Sequence, residues 1–199
     1  ASLMAIGGAP RASIAEGAGE SEKSERIMGN CLTMLVITAL VLTVLFESFA
    51  EPLLLMFGAS ENTIGYALDY MRIYALGTIF VQLTLGMNAY ITAQGFATVS
   101  MKTVLIGALL NTALDPLFIF VLGLGVRGAA IATVLSRFVE CAIVITWTHR
   151  HKERNRFIVG VYETMRVPPE LARQIVRLGA PLLINELLWS GGMAMLNQC

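Results

Sequence analysis

Three side chains that can hold a cation occur within a short stretch of the sequence. Asn111 and Asp115 are four residues apart, so both lie on one face if the segment is helical. Thr133 follows the glycine-rich turn 123–128, and the helical rise on either side of that turn places Thr133 at roughly the depth of Asp115. Together an amide, a carboxylate and a hydroxyl can hold a proton or coordinate Na⁺ through their oxygens. The structural alternative is that Asn111 and Asp115 satisfy each other beside a kink at Pro116.

Further ionisable residues lie inside apolar runs, where each costs about 2.5–3.5 kcal/mol near mid-depth unless it has a partner or a function. Arg137 and Glu140 are three residues apart, and this spacing predicts a structural ion pair on one helix. Glu186 lies in the last apolar run, where its neighbour Asn185 points elsewhere. Glu186 is therefore a candidate second carboxylate for an ion or a substrate, or the partner of a helix outside this sequence.

Uncharged polar residues interrupt the apolar segment 70–94. The main ones are Gln82, Asn88 and Tyr90. Such residues commonly join membrane helices through hydrogen bonds, and this interpretation is favoured. The alternative is that they line a cavity for amphipathic substrates.

Familiar catalytic motifs are absent from the sequence. It contains no HExxH, no GxSxG, no P-loop and no nucleotide-binding fingerprint. Its three cysteines are widely spaced and form no metal-ligand pattern. We therefore expect no enzyme activity, no cofactor and no bound metal other than Na⁺.

The composition indicates what kind of molecule carries these residues. Of the 199 residues, 56% are hydrophobic and 14% are charged, the net charge is zero and the mean hydropathy is +0.69. Soluble domains carry about 25% charged residues, so this chain has too little polar surface for a water-facing globule. That excludes a disordered chain, a basic nucleic-acid binder and a secreted disulfide scaffold. We expect an all-α integral membrane protein, a multi-pass helical bundle.

Apolar runs long enough to cross a bilayer recur along the chain. The predicted spans are 30–50, 70–94, 103–123, 128–148 and a last one from about 179. The opening residues 1–10 resemble the tail of an earlier helix, and the sequence ends inside its last apolar run. We therefore interpret the sequence as a fragment of a larger membrane protein.

The distribution of basic residues predicts the orientation. If every span crosses once, eleven basic residues share one side, and the other side has only Arg72 and Arg127. The positive-inside rule makes the eleven-residue side cytoplasmic. Seven of those eleven lie in 149–178, which we interpret as a cytoplasmic linker. Its second part, from Pro168, has the apolar spacing of a short amphipathic helix at the membrane interface.

Several motifs resemble those of the multidrug and toxic compound extrusion (MATE) family, in particular its bacterial drug exporters. They occur in order along essentially the whole chain: Gly7-Gly-Ala-Pro10, Gly29-Asn30, Pro52-Leu-Leu-Leu-Met-Phe-Gly58-Ala59, Ala93-Gln-Gly95, Asn111-xxx-Asp115-Pro116 and Gly125-Val-Arg-Gly128-Ala-Ala-Ile-Ala-Thr133. The resemblance implies twelve helices in two six-helix lobes around a central cavity. Residues 1–148 would be the N-terminal lobe from the end of helix 2 to helix 6, 149–178 the interlobe linker, and 179–199 the start of helix 7.

The resemblance also implies a function. In prokaryotic relatives a cation site uses an Asn and an Asp of helix 5 and a Thr of helix 6, which match Asn111, Asp115 and Thr133. An Asp of helix 1, outside this sequence, completes it. The implied activity is secondary antiport at the plasma membrane by a monomer that exports amphipathic or cationic organic compounds in exchange for H⁺ or Na⁺. The alternative is a flippase for lipid-linked precursors from the same superfamily.

Overall fold

The computed structural model of the chain describes residues 2–151 and a set of positions further along, namely 169, 170, 173, 177, 180, 181, 184, 185, 188, 189 and 192. Glu186 and residues 152–168 lie outside the described residues, and so does most of the predicted amphipathic helix and of the last span. The division into lobe, linker and second lobe therefore stays a prediction.

Helices joined by short turns make up residues 2–151, and no strand occurs in that range, which confirms the all-α fold class. In chain order the elements are α1 (Ser2–Gly17), α2 (Ser21–Met56), α3 (Ile64–Leu76), α4 (Thr78–Ala93), α5 (Ala97–Pro116), a π-helical segment (Leu117–Val121) and α6 (Gly125–Arg150). Small residues of α1 allow close packing on its neighbours, since a Cβ atom at Gly8 would be 2.5 Å from Cys31 Sγ on α2.

Three of the described helices are long and apolar enough to cross a bilayer. In the described part of the chain, α2, α5 with its π-helical continuation, and α6 qualify by length and hydropathy. They correspond to three predicted spans, but α2 begins nine residues before and ends six residues after the predicted 30–50. The basic residues Lys23 and Arg26, which precede the predicted span, lie on the first turns of α2. The loop between α1 and α2 is only Ala18–Glu20.

The predicted span 70–94 differs most from the structure. It forms two helices, α3 and α4, which meet at an angle of 52°. Gly77 lies at the bend, and a Cβ atom there would come within 2.6 Å of the Val134 Cγ2 atom on α6. The glycine therefore lets the backbone approach α6 at a point where any side chain would collide with Val134.

Small residues bring the helices together. Ala9, Ala12 and Ala15 form a buried face of α1 that packs on α2, and Tyr90 of α4 belongs to the same cluster. α6 contacts α3, α4 and α5, and its Ala130 is fully buried. The outer faces expose large apolar side chains, as expected for helices that meet lipid. Examples are Val44, Leu109 and Phe120.

Candidate cation site

The site lies between α5 and α6, which run antiparallel and are connected by a tight turn. Gly123 (φ 65°) and Gly125 (φ 55°) adopt left-handed backbone conformations, which other residues rarely adopt. Gly128 then lies directly against the π-helical segment, and a Cβ atom at Gly128 would be 2.6 Å from the carbonyl oxygen of Phe118. These glycines let the two helix backbones approach closely.

Pro116 changes the helix that carries the acidic residue. Proline has no backbone N–H, so the α-helical hydrogen-bond pattern cannot continue through it unchanged. The chain instead widens into a π-helix over Leu117–Val121, where the N–H of Leu122 donates to the carbonyl of Leu117 at 2.9 Å. The sequence predicted a kink here, and the structure shows an added wide turn. π-Helical turns of this kind are frequent at functional sites.

The three predicted cation-site residues come together. The amide nitrogen of Asn111 donates to Asp115 Oδ1 at 3.2 Å and to Thr133 Oγ1 at 3.4 Å, so it connects both helices. The Thr133 hydroxyl donates in turn to the carbonyl of Ala129 at 2.9 Å. All three side chains are partly exposed rather than sealed in the core. An ion could therefore reach oxygens from a carboxylate, an amide and a hydroxyl at one position.

A second polar contact lies further along the same pair of helices. Arg137 Nη1 is 2.7 Å from Glu140 Oε2, which confirms the predicted ion pair. The Glu140 side chain is fully buried, whereas that of Arg137 is 38% exposed. Gly107 of α5 faces the carboxylate, because a Cβ atom at Gly107 would be 2.8 Å from Glu140 Oε2.

The polar residues of α4 are buried between helices. Gln82, Asn88 and Tyr90 are each less than a tenth exposed. The Thr103 hydroxyl of α5 lies 3.2 Å from Asn88 Oδ1 and 2.8 Å from the carbonyl of Ser100, and its one proton is shared between these two acceptors. The contact with Thr103 favours the helix-joining interpretation for Asn88, and for Gln82 and Tyr90 both interpretations stay predictions. Glu186, the candidate second carboxylate, lies outside the described residues.

One ion pair was missed by the sequence analysis. Arg127 at the start of α6 binds Asp69 of α3 through two contacts, Nε to Oδ2 at 2.9 Å and Nη2 to Oδ1 at 3.0 Å. The two residues are 58 positions apart in the sequence. No helical periodicity relates residues at that distance, so only the packing of α3 on α6 shows the pair.

Comparison with known proteins agrees with this architecture. A family model described as MatE matches residues 1–117, more than half of the chain. The chain belongs to the MatE family. The members of this family are transporters, and they are integral membrane proteins.

Individual relatives give a more detailed comparison. The chain is 28% identical over 182 residues to the probable multidrug resistance protein YoeA of Bacillus subtilis (strain 168), covering 88% of this chain and 39% of that protein. It is 29% identical to the FAD transporter of Shewanella oneidensis, covering 90% of this chain and 41% of that protein. The chain thus spans about two fifths of the length of these curated relatives.

A solved structure shows the same fold. It is a crystal structure of MATE in the bent conformation, with a TM-score of 0.88 and 25% sequence identity. The match covers 99% of this chain and 44% of that structure. The chain is therefore a fragment of the MATE fold.

Proposed function

We propose that the full-length protein is a secondary antiporter that exports amphipathic or cationic organic compounds in exchange for H⁺ or Na⁺. The observation that carries the proposal is the hydrogen-bonded group Asn111, Asp115 and Thr133 between two helices of a MatE-family chain. Similarity to YoeA, a probable multidrug resistance protein, supports drugs as the exported class. In this proposal the protein uses no cofactor and does not change the exported compound chemically.

Cation binding at Asp115 would change how α5 and α6 interact. A proton or Na⁺ removes the net negative charge of a carboxylate that faces a helix interface, which alters the helix packing that is most favourable. For Na⁺ the Asn111 amide would also have to rotate, because its NH₂ group, which now faces Asp115 and Thr133, cannot coordinate a cation. The hydrogen bond between α5 and α6 is then replaced by coordination through the ion.

The change in packing would couple the cation to the cargo. Transport requires that the cation binds the inward-facing and outward-facing states with different affinities. The interface between α5 and α6 can supply that difference, because Thr133 lies next to Val134, the side chain that contacts the bend at Gly77. Movement of α6 on cation binding would therefore reach α3 and α4 directly.

The remaining features of the proposal concern the whole protein. Residues 1–148 form the N-terminal lobe, 149–178 the cytoplasmic interlobe linker and 179–199 the start of the second lobe. The protein works as a monomer in the plasma membrane, surrounded by lipid and without nucleic acid. The basic residues at the start of α2, Lys23 and Arg26, and Arg150 at the end of α6 support this orientation by the positive-inside rule.

Dye export by the full-length transporter tests the proposal. The protein is produced in cells that lack their own pumps, and pH and Na⁺ gradients are imposed separately. We expect Asp115→Asn to reduce export to the level of cells without the transporter, because the variant removes the carboxylate that takes up the coupling cation. The gradient that drives export by the wild type identifies the cation.

Two conservative variants sharpen this experiment. Thr133→Val should raise the half-saturating cation concentration about tenfold, because it removes one oxygen contact worth roughly 1–1.5 kcal/mol. Thr112→Val is the matched control, since the Thr112 hydroxyl is exposed and bonds only to the Ala108 carbonyl of its own helix. Equal export by the wild type and Asp115→Asn would contradict the cation site. Export of no dye, together with translocation of a lipid-linked precursor or a flavin, would contradict the drug substrate.

A further inference from the structure

A groove on the exposed face of α6 takes no part in the candidate cation site. It has a volume of about 480 Å³, within the roughly 300–1,000 Å³ that is usual for small-molecule sites. Its lining begins at Phe138 and ends at Arg150 and His151. At about 1.5 Å per residue the groove is roughly 18 Å long, which is close to the depth of one leaflet, about half of the 30 Å hydrocarbon core. Its length therefore matches an acyl chain within a single leaflet.

Aromatic side chains form the walls of this groove, and contacts with other aromatic rings hold them. Phe138 meets Phe80 of α4 edge to face, with ring centroids 5.2 Å apart. Trp147 meets Phe96, the residue before α5, in the same manner at 5.5 Å. The ring of His151 stacks on Trp147 with centroids 4.9 Å apart. Such contacts favour particular ring orientations, so the packing of α4 and α5 on α6 sets the shape of the groove.

The charge of the groove is concentrated at one end. Arg150 is exposed and forms no ion pair with the residues that the structure describes. No Asp or Glu lines the groove. In the sequence, further basic residues follow directly, with Glu153 as the one acidic residue among them: Lys152, Arg154 and Arg156. A cluster of basic residues next to the cytoplasmic end of a membrane helix is typical of segments that bind anionic lipids.

Two other apolar grooves show what distinguishes this one. A groove of about 410 Å³ runs along α2 from Leu40 to Phe49. A groove of about 540 Å³ has Leu54 of α2, Tyr70 of α3 and Val126 of α6 in its lining. Both are similar in size to the groove on α6, but neither has a charged residue in its lining. Among these three, the groove on α6 alone combines an apolar channel with a basic end.

We propose that the groove on α6 binds one anionic phospholipid, with an acyl chain along the helix and the phosphate beside Arg150. The planar guanidinium group of arginine matches the geometry of a phosphate. Trp147 lies about one turn before Arg150, and tryptophan is enriched where hydrocarbon meets the headgroups. A zwitterionic lipid offers the same phosphate, but the basic residues after α6 repel its cationic group. The inference does not depend on the cation site, because no residue of that site lines the groove.

Three substitutions in the full-length transporter test the two parts of the groove. Arg150→Gln should lower the affinity for phosphatidylglycerol about fivefold, the contribution of one basic residue at an anionic surface. Ala142→Trp should lower it at least as much although it keeps every charge, because the indole ring fills the space of the acyl chain. Ala142 is exposed, so this substitution leaves the contacts between helices intact. Arg72→Gln is the matched control, since it removes an exposed arginine outside all three grooves, and its affinity should stay within twofold of the wild type.

The measurement is native mass spectrometry of the purified transporter, titrated with phosphatidylglycerol or with phosphatidylcholine that has the same acyl chains. We expect phosphatidylglycerol to bind about tenfold more tightly, and melting temperatures without lipid check that each variant is folded. Equal affinity for the two lipids, or an unchanged affinity in Arg150→Gln, would overturn the anionic headgroup. An unchanged affinity in Ala142→Trp would overturn the place of the acyl chain. A photoreactive amino acid in place of Ala142 should cross-link to lipid, and cross-links to protein alone would show that another segment or a second copy covers the groove.

Discussion

Single glycines decide how closely polar side chains can sit between α5 and α6. Gly107 leaves room for the Glu140 carboxylate, and Gly128 leaves room for the carbonyl of Phe118. A methyl group at either position would meet an atom at less than 3 Å. The polar contacts of the interface therefore depend on residues that have no polar side chain themselves, and mutations at these glycines report on them.

Gly107→Ala should lower the stability of the full-length protein. The added Cβ atom would lie 2.8 Å from Oε2 and 3.2 Å from Cδ of the buried Glu140. Overpacking of this kind typically costs about 1–3 kcal/mol, which outweighs the gain of at most about 1 kcal/mol that alanine brings to a helix. Gly65→Ala is the control, because nothing lies within 4 Å of its Cβ position and only the gain applies. Thermal unfolding in detergent measures the stability of both variants. Equal melting temperatures for Gly107→Ala and Gly65→Ala would show that the Glu140 side chain moves aside at no cost.

The sequence predicts residues within one helix better than contacts between distant helices. Asn111 and Asp115 share a face because of a local spacing, and Thr133 could be placed by counting the rise from a short turn. The contact of Asp69 with Arg127 depends instead on how α3 lies against α6, and no local pattern contains that information. Polar partners within one helix or across one short turn can be found from the sequence, but partners on helices that are distant in the sequence cannot.

At the scale of helices, the bend between α3 and α4 shows the same limit. Hydropathy gives one continuous apolar segment over 70–94, because a bend at a small residue does not change the composition. The reason for a glycine at the bend lies on another helix, where Val134 occupies the space that a side chain at position 77 would need. The bounds of α2 also exceeded the prediction, since polar residues such as Glu22 and Arg26 continue the helix beyond its apolar part through an ion pair.

Pro116→Ala tests the role of the π-helical turn in α5. Alanine restores the backbone N–H, so the helix can return to the α-helical pattern, and the local helix should gain up to about 3 kcal/mol. Removal of the wide turn would rotate the residues after 116 and displace the Phe118 carbonyl from Gly128. We therefore expect higher thermal stability together with weaker cation binding and slower export.

A matched substitution separates the general effect of proline from this local one. Pro52 also lies inside a helix. It is exposed near the end of α2, two residues after the buried Ala50. Pro52→Ala should raise stability without changing cation affinity. If Pro116→Ala left both cation affinity and export at wild-type values, the π-helical turn would have no part in the transport cycle.

At the scale of the whole molecule, the orientation in the membrane can be tested on residues that the structure exposes. Ser60 lies in the turn between α2 and α3, and Thr98 lies at the start of α5, at opposite ends of the bundle. The positive-inside rule places the first turn outside and the second in the cytoplasm. In a background without native cysteines, Ser60→Cys should react with a membrane-impermeant maleimide in intact cells, and Thr98→Cys should react only after permeabilisation. A separate variant that keeps only the native Cys31 and Cys141 provides a check, because both are buried and neither should react in the folded protein. The reverse labelling pattern would invert the bundle, and the group around Asp115 would then be nearer the cytoplasm than the ion pair of Arg137.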